Sequence, residues 1–207
     1  RTFRGQNDLW RIEGYLAYGF LDKKFKHGFF AQALLDQKSR LLISGGHRRD
    51  IEQLGLSLTA TNDLMGRSIA SSSVFTVGNN DKLSQINLTA IHLSSEPVKN
   101  LNLSMGATYR RINAALPDLF PLDFLFEPSI LGTKNSLNQV DFTARMLYTP
   151  GRKTIGYGVS PRAVNEDYSS LMLQYVHGQQ GLLDSNFNYN RLQMSYVRPL
   201  IMEHFQI

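Results

Sequence analysis

The sequence predicts an all-β protein: an antiparallel up-and-down meander that forms a transmembrane β-barrel or a slice of a larger one. Three observations lead there. Short segments alternate apolar and polar residues with a period of two, as strands do when successive side chains point to opposite faces. Short and long connections take turns between these segments, and aromatic residues gather near both ends of the apolar faces. The clearest segment is Asn100 to Arg110, with Leu101, Leu103, Met105, Ala107 and Tyr109 on one side and Asn102, Ser104, Gly106, Thr108 and Arg110 on the other. One face suits an apolar neighbour and the other suits water.

The bulk composition agrees. At 207 residues the chain has room for one substantial domain, and 42% hydrophobic against 19% charged residues argues against disorder. No run approaches the length of a helical membrane span, but mean hydropathy hides a barrel, whose signal is segments of about 10 alternating residues. The absence of Cys excludes a disulfide framework and a thiolate zinc site. A net charge of +5 is mild, and the clusters Lys23, Lys24, Lys26 and Arg48, Arg49 resemble strand ends rather than a basic stripe. Nucleic acid is therefore not an expected partner. The first residue is Arg, and the chain is expected to be an internal piece of a longer protein.

In chain order, the first strand is expected over Leu9 to Gly19, with Trp10, Ile12, Leu16 and Tyr18 opposite Arg11, Glu13, Tyr15 and Ala17. Turn residues 21–24 lead to a second strand, Phe25 to Leu35, and residues 36–39 to a third, Arg40 to Arg48. Residues 49–82 lack a clean period and hold a short helix or extra strand around Ser68 to Val77. The fourth strand runs from Leu83 to Ser94 and turns at Glu96-Pro97-Val98-Lys99; the fifth covers 100–112. After the Pro-, Leu- and Phe-rich connection 113–136 comes the sixth, Leu137 to Tyr148. Pro150-Gly151 opens a polar segment to Asp167, followed by the seventh strand, Tyr168 to His177, a loop over 178–190, and the eighth, Arg191 to Pro199.

In a meander the connections 49–82, 113–136 and 178–189 fall on one rim, and the turns 36–39 and 96–100 on the other, as outer-membrane barrels arrange them. The connection 149–167 is long for the short-turn rim, and the turn 20–24 is short for the long one. Trp10, Tyr148 and Tyr196 lie near the short-turn rim on the apolar face, with Tyr18, Tyr109 and Tyr175 near the other. Two aromatic belts are what a bilayer selects, since amphipathic rings favour both interfaces.

The segments Glu13 to Gly19, Asp22 to Gly28, Arg48 to Gly55 and Tyr148 to Lys153 resemble the barrel portion of the DUF5686 family of Bacteroidetes outer-membrane proteins. That family usually carries a carboxypeptidase-regulatory-like domain, which is absent from this sequence. The chain also ends on Gln206-Ile207 rather than on a terminal aromatic. The resemblance implies the outer membrane of a Gram-negative bacterium and a barrel fold, and it brings no catalytic residues.

Candidate chemistry is sparse. None of the five His stands at metal-ligand spacing from another, and neither a zincin helix nor a phosphate loop is present. No cofactor is expected. His177 with Asp184, or His47 with Asp50, are candidate pairs for a rim hydrolase, and spacing alone does not separate them from ordinary rim residues. Glu13, Arg110, Asp141 and Arg145 are candidate lumen-facing residues, as a solvated interior or a charge filter. The connection Leu116 to Leu131, dominated by Leu, Ile and Phe, is too apolar to lie free in water. Its Phe120, Phe124 and Phe126 are candidate contacts for the barrel mouth or another envelope protein. The expected role is transport, secretion or envelope assembly against a lipid bilayer, with no chemistry of its own. The alternatives are a soluble lipocalin-like or β-sandwich ligand-binding module and an outer-membrane hydrolase.

Overall fold

The computed structural model describes residues 2–4, 8–20, 23–53, 83–118, 124–125 and 133–199. Among these residues nine strands form one antiparallel sheet in chain order: β1 (Thr2–Arg4), β2 (Trp10–Gly19), β3 (Lys24–Asp36), β4 (Leu41–Gln53), β5 (Leu83–Val98), β6 (Leu101–Ala114), β9 (Ser136–Tyr148), β12 (Ser170–Gly178) and β13 (Tyr189–Val197). Two small ribbons interrupt the count, β7 (Phe124–Leu125) with β8 (Thr133–Lys134), and β10 (Thr154–Ile155) with β11 (Arg162–Ala163). The sheet is open, so the observed object is a meander or a slice of a barrel.

The eight long strands stand where alternation put them, with corrected lengths. β4 continues to Gln53, so Arg48 and Arg49 are mid-strand and not at its end. β5 runs on to Val98, and the turn moves to Lys99 and Asn100, which takes a left-handed φ of 67°. The β5–β6 pairing breaks between Ser95 and Val98, and Pro97, with no N–H to give to the ladder, sits in the break. The expected element around Ser68 to Val77 lies outside the described residues.

The sheet is curled. Lys24 on β3 donates from Nζ to the carbonyl of Ala115, just past β6, at 2.9 Å. Three strand spacings of about 4.8 Å separate those strands in a flat sheet, too far for a lysine. Ile86, Ile112 and Leu137 cluster on the concave side, and Phe30 packs on Leu88 and Ala90 there. The convex side is the reverse. Leu16, Phe25, Ile91, Met105, Leu192 and Met194 all project from it exposed.

The short-turn rim is stitched together. The Ser39 carbonyl accepts from the Glu96 amide (2.7 Å) and the Ser95 hydroxyl (2.9 Å), and the Asn100 carbonyl accepts from the Thr149 amide (2.8 Å). From Thr149 the connection to β12 forms a strap that reaches the first long strand. The Val159 amide donates to the Asp8 carbonyl at 2.8 Å, Arg11 Nη1 donates to Ser160 Oγ at 2.9 Å, and Arg40 Nη2 donates to the Gly158 carbonyl at 3.1 Å. A side chain at Gly158 would run into the backbone of Asp8, so the close approach requires glycine there.

Candidate functional site on the concave face

The register puts Glu13, Arg110, Asp141 and Arg145 on the concave side, and their environments differ. Glu13 pairs with Arg11 at 2.9 Å. Arg110 is 6% exposed and Asp141 is 8% exposed, both inside the curl. Asp141 is held by its neighbours. Tyr189 Oη donates to its Oδ1 at 2.8 Å, and Gln139 Nε2 donates to its Oδ2 at 2.7 Å and also to Tyr189 Oη at 2.7 Å. Two strands apart, Tyr15 Oη donates to Asp50 Oδ2 at 2.6 Å. In this half of the concave face, toward the long connections, the carboxylates Asp50 and Asp141 are both held by hydrogen bonds from neighbouring side chains, as low dielectric favours.

The half toward the short turns is built differently. A cavity of about 480 Å³ opens there, lined by His92, Ser94, Asn102, Ser104, Thr143, Arg145 and Gln174 among others. Alternation on β5, β6, β9 and β12 sets these side chains on adjacent rows, since Ser94 pairs with Ser104, Ser104 with Arg145, and Arg145 with Gln174. His92 faces Gly106, whose missing side chain leaves the room that the imidazole fills. Arg145, exposed on the cavity floor, is the only cation in that lining among the described residues.

The convex face carries Trp10, Tyr18, Tyr109, Tyr148, Tyr175 and Tyr196, all on the apolar parity. Two apolar furrows run over it, one bounded by Leu93, Leu103, Met105 and Leu173, the other by Trp10, Ile12, Ala31 and Ile43. Arg49, unlike Arg48, projects on this face, in the row of His27, Asn87, Arg111 and Asn138.

The histidine–acid pairs do not assemble. His47 and Asp50 point to opposite faces of β4; His47 Nδ1 meets Thr89 Oγ1 at 2.9 Å. His177 meets Asn190 at 2.9 Å and Gln179 at 3.1 Å, and Asp184 is not among its partners. Of the apolar connection, Leu116 to Asp118 and β7 are described; Phe120 and Phe126 lie outside the described residues, and Phe124 is known only as the first residue of β7. Sequence reasoning missed Tyr189, because the eighth strand was begun at Arg191; extending its alternation by two residues groups Tyr189 with Arg191 and Gln193. It missed the strap's contact with Asp8 for want of any local signal.

Among the described residues no helix is long and apolar enough to cross a membrane, which says nothing of a barrel. Comparison with protein families, characterised proteins and solved structures finds no match.

Proposed function

We propose that this chain is a membrane-spanning slice of an outer-membrane β-barrel, with its convex face against lipid, its concave face toward a polar lumen, and a role in transport, secretion or envelope assembly without chemistry of its own. One observation carries the reading: the apolar face is the convex one. A lipocalin-like module turns its apolar side inward around a ligand and its polar side to water, and this sheet does the opposite. A soluble monomer rarely exposes an apolar patch of more than a few hundred Å², and here the patch runs from Leu16 on β2 to Met194 on β13. The resemblance to the DUF5686 family points to the same location, the outer membrane of a Gram-negative bacterium.

The register accommodates the upper belt, though not all of the lower one, at a tilt within the range of barrel strands. Trp10 and Tyr175 share one hydrogen-bonding row through Ala33, Ile43, Leu93, Met105 and Ala144. With upright strands they would stand at one height, which would defeat the two-belt reading. Barrel strands tilt by about 35–45°, so a row climbs as it crosses strands spaced about 4.8 Å apart. At about 42°, with the row rising toward β12, Tyr18 and Tyr175 come level about 20 Å above Trp10, and Tyr109 falls about 3 Å from them. An apolar band of about 25 Å accommodates that spacing. Of the convex polar residues, Arg49, Asn87, Arg111, Asn138 and Asn190 come out above the Tyr18 level, whereas His27 and His47 come out about 2 and about 3 Å below it. Tyr148 stands about 6 Å above Trp10, but Tyr196 stands about 13 Å above it, inside the band rather than on the lower belt.

Trp10 is the only tryptophan, so depth is measurable directly. The chain is refolded into vesicles whose lipids carry bromine either near the headgroup end or deep in the acyl chain. Shallow bromine is expected to quench Trp10 fluorescence more strongly than deep bromine. A chain that stays in buffer, or a Trp10 that neither lipid quenches, overturns the reading.

A further inference from the structure

The cavity on the short-turn half of the concave face is lined by polar side chains that find no partner among the described residues. The side chains of His92, Ser94, Asn102, Ser104, Arg145 and Gln174 make no hydrogen bond or ion pair with any described residue. Gln174 is only 6% exposed, and Nε2 of His92 is buried without a partner. Of these side chains, His92 carries the one polar atom that is both buried and unpartnered among the described residues; the others open into the cavity, where a polar occupant can meet them. Arg145 is the only full charge in the lining, and no carboxylate stands beside it among the described residues. The long-connection half shows what compensation looks like in this fold: Asp141 there takes hydrogen bonds from Tyr189 and Gln139.

We propose that this cavity binds a compact oxyanion, a phosphate or carboxylate group, with the Arg145 guanidinium as its charged fork and Gln174, Ser104 and Asn102 as neutral donors. The planar guanidinium presents paired N–H groups that match two oxygens of such an anion, which an ammonium or a neutral amide cannot do. The surrounding hydroxyls and amides can donate to the remaining oxygens. At about 480 Å³ the cavity also has room for an organic group attached to the anion. The site requires the concave face to be wet and is independent of whether the convex face meets lipid.

The test is calorimetric titration of the folded chain in neutral detergent with two probes, inorganic phosphate and a short-chain phosphatidic acid, which separate a free anion from a lipid headgroup. Saturable one-to-one binding of at least one probe is expected. Arg145→Gln should weaken it roughly 10-fold or more, as expected for a lost charge-assisted contact. Arg145→Lys should recover only part of the loss, because it restores charge without the fork. Arg152→Gln, on the strap outside the cavity, should leave it unchanged. Binding of one probe alone supports the site and identifies the source of the anion. Absence of saturable binding by both probes overturns the proposal, as does equal weakening by Arg152→Gln, which would mean unspecific attraction to a basic protein. Insertion into vesicles is read separately from the quenching of Trp10, so either idea can fail without the other.

Discussion

The convex and concave faces of this sheet are made by the same strands, and adjacent residues can meet opposite demands. Leu103 and Ser104 are neighbours on β6. Leu103 is 42% exposed in an apolar furrow, while Ser104 lines the polar cavity. A soluble sheet would have its apolar set on the curled-in side, where the hydrophobic effect removes it from water. Here the concave side buries Arg48, Arg110, Asp141 and Gln174, and Leu16 and Met194 are left outside at 72% and 70% exposure. A soluble monomer rarely exposes such a surface, and this is what the proposed lipid contact rests on. The difference between faces is therefore the sharpest statement about environment that the molecule makes.

The largest expected effect tests that difference at one pair of residues. At a tilt of about 42°, Leu103 comes out about 8 Å above Trp10, well inside the proposed band. Leu103→Arg should therefore cost roughly 2–4 kcal/mol of stability in vesicles, and Ser104→Arg far less. The measurement is denaturant unfolding of both variants in the same lipid. Equal costs would erase the distinction between faces.

The next effect lies within the concave side. Asp141→Ala removes the acceptor of both Tyr189 and Gln139 and should destabilise by about 1–3 kcal/mol, because the half-buried Tyr189 hydroxyl loses its acceptor and Gln139 one of its two. Arg145→Ala, on the open half, should change stability by less than about 0.5 kcal/mol. Comparable losses would mean that the two halves of the concave face do not differ as the hydrogen bonds indicate.

The strap offers a third measurement. Gly158→Ala places a methyl group against the Asp8 backbone and should cost about 1–3 kcal/mol through overpacking. The Val159 amide, which donates to Asp8, should then exchange with deuterium faster, while amides at the centre of β6 keep their protection. Unchanged exchange at Val159 would show that the strap does not depend on this contact.

How much of this was legible depended on the range of the signal. Alternation is local, so strand existence and facing came out of the sequence: Leu103 against Ser104, Trp10 against Arg11, Val140 against Asp141. Strand ends were less legible. Arg48, Arg49 and Asp50 interrupt the apolar pattern and look like a rim. They continue β4 because the concave side accepts Arg48 and Asp50, and Arg49 sits on a convex polar row. The cavity and the strap were not legible at all. Both depend on residues far apart in the chain, Asp8 with Val159 and His92 with Gln174, brought together only by curvature.

The smallest effect concerns the rim, where neither face rules. Asp36, the fully exposed last residue of β3, accepts from the Ser39 hydroxyl at 2.6 Å and the Ser39 amide at 2.8 Å across the turn to β4. These hydrogen bonds, that from the hydroxyl first, hold its carboxyl below the ordinary carboxylate value. The depressed value means that the bonds favour the charged form, so whatever they add to the turn is present above the unfolded carboxylate pKa, about 3.9. It is lost as pH falls through the lower folded value. In vesicles, the Ser39 amide chemical shift should titrate with a midpoint below that of an unstructured aspartate. A rim dipping into the low-dielectric edge of the bilayer would raise the midpoint instead, because burial disfavours the charged form. A depressed midpoint in lipid and in detergent alike would put the short turns in water. A raised midpoint in lipid alone would move the band toward the turns and shift Trp10 deeper than the belt assignment allows.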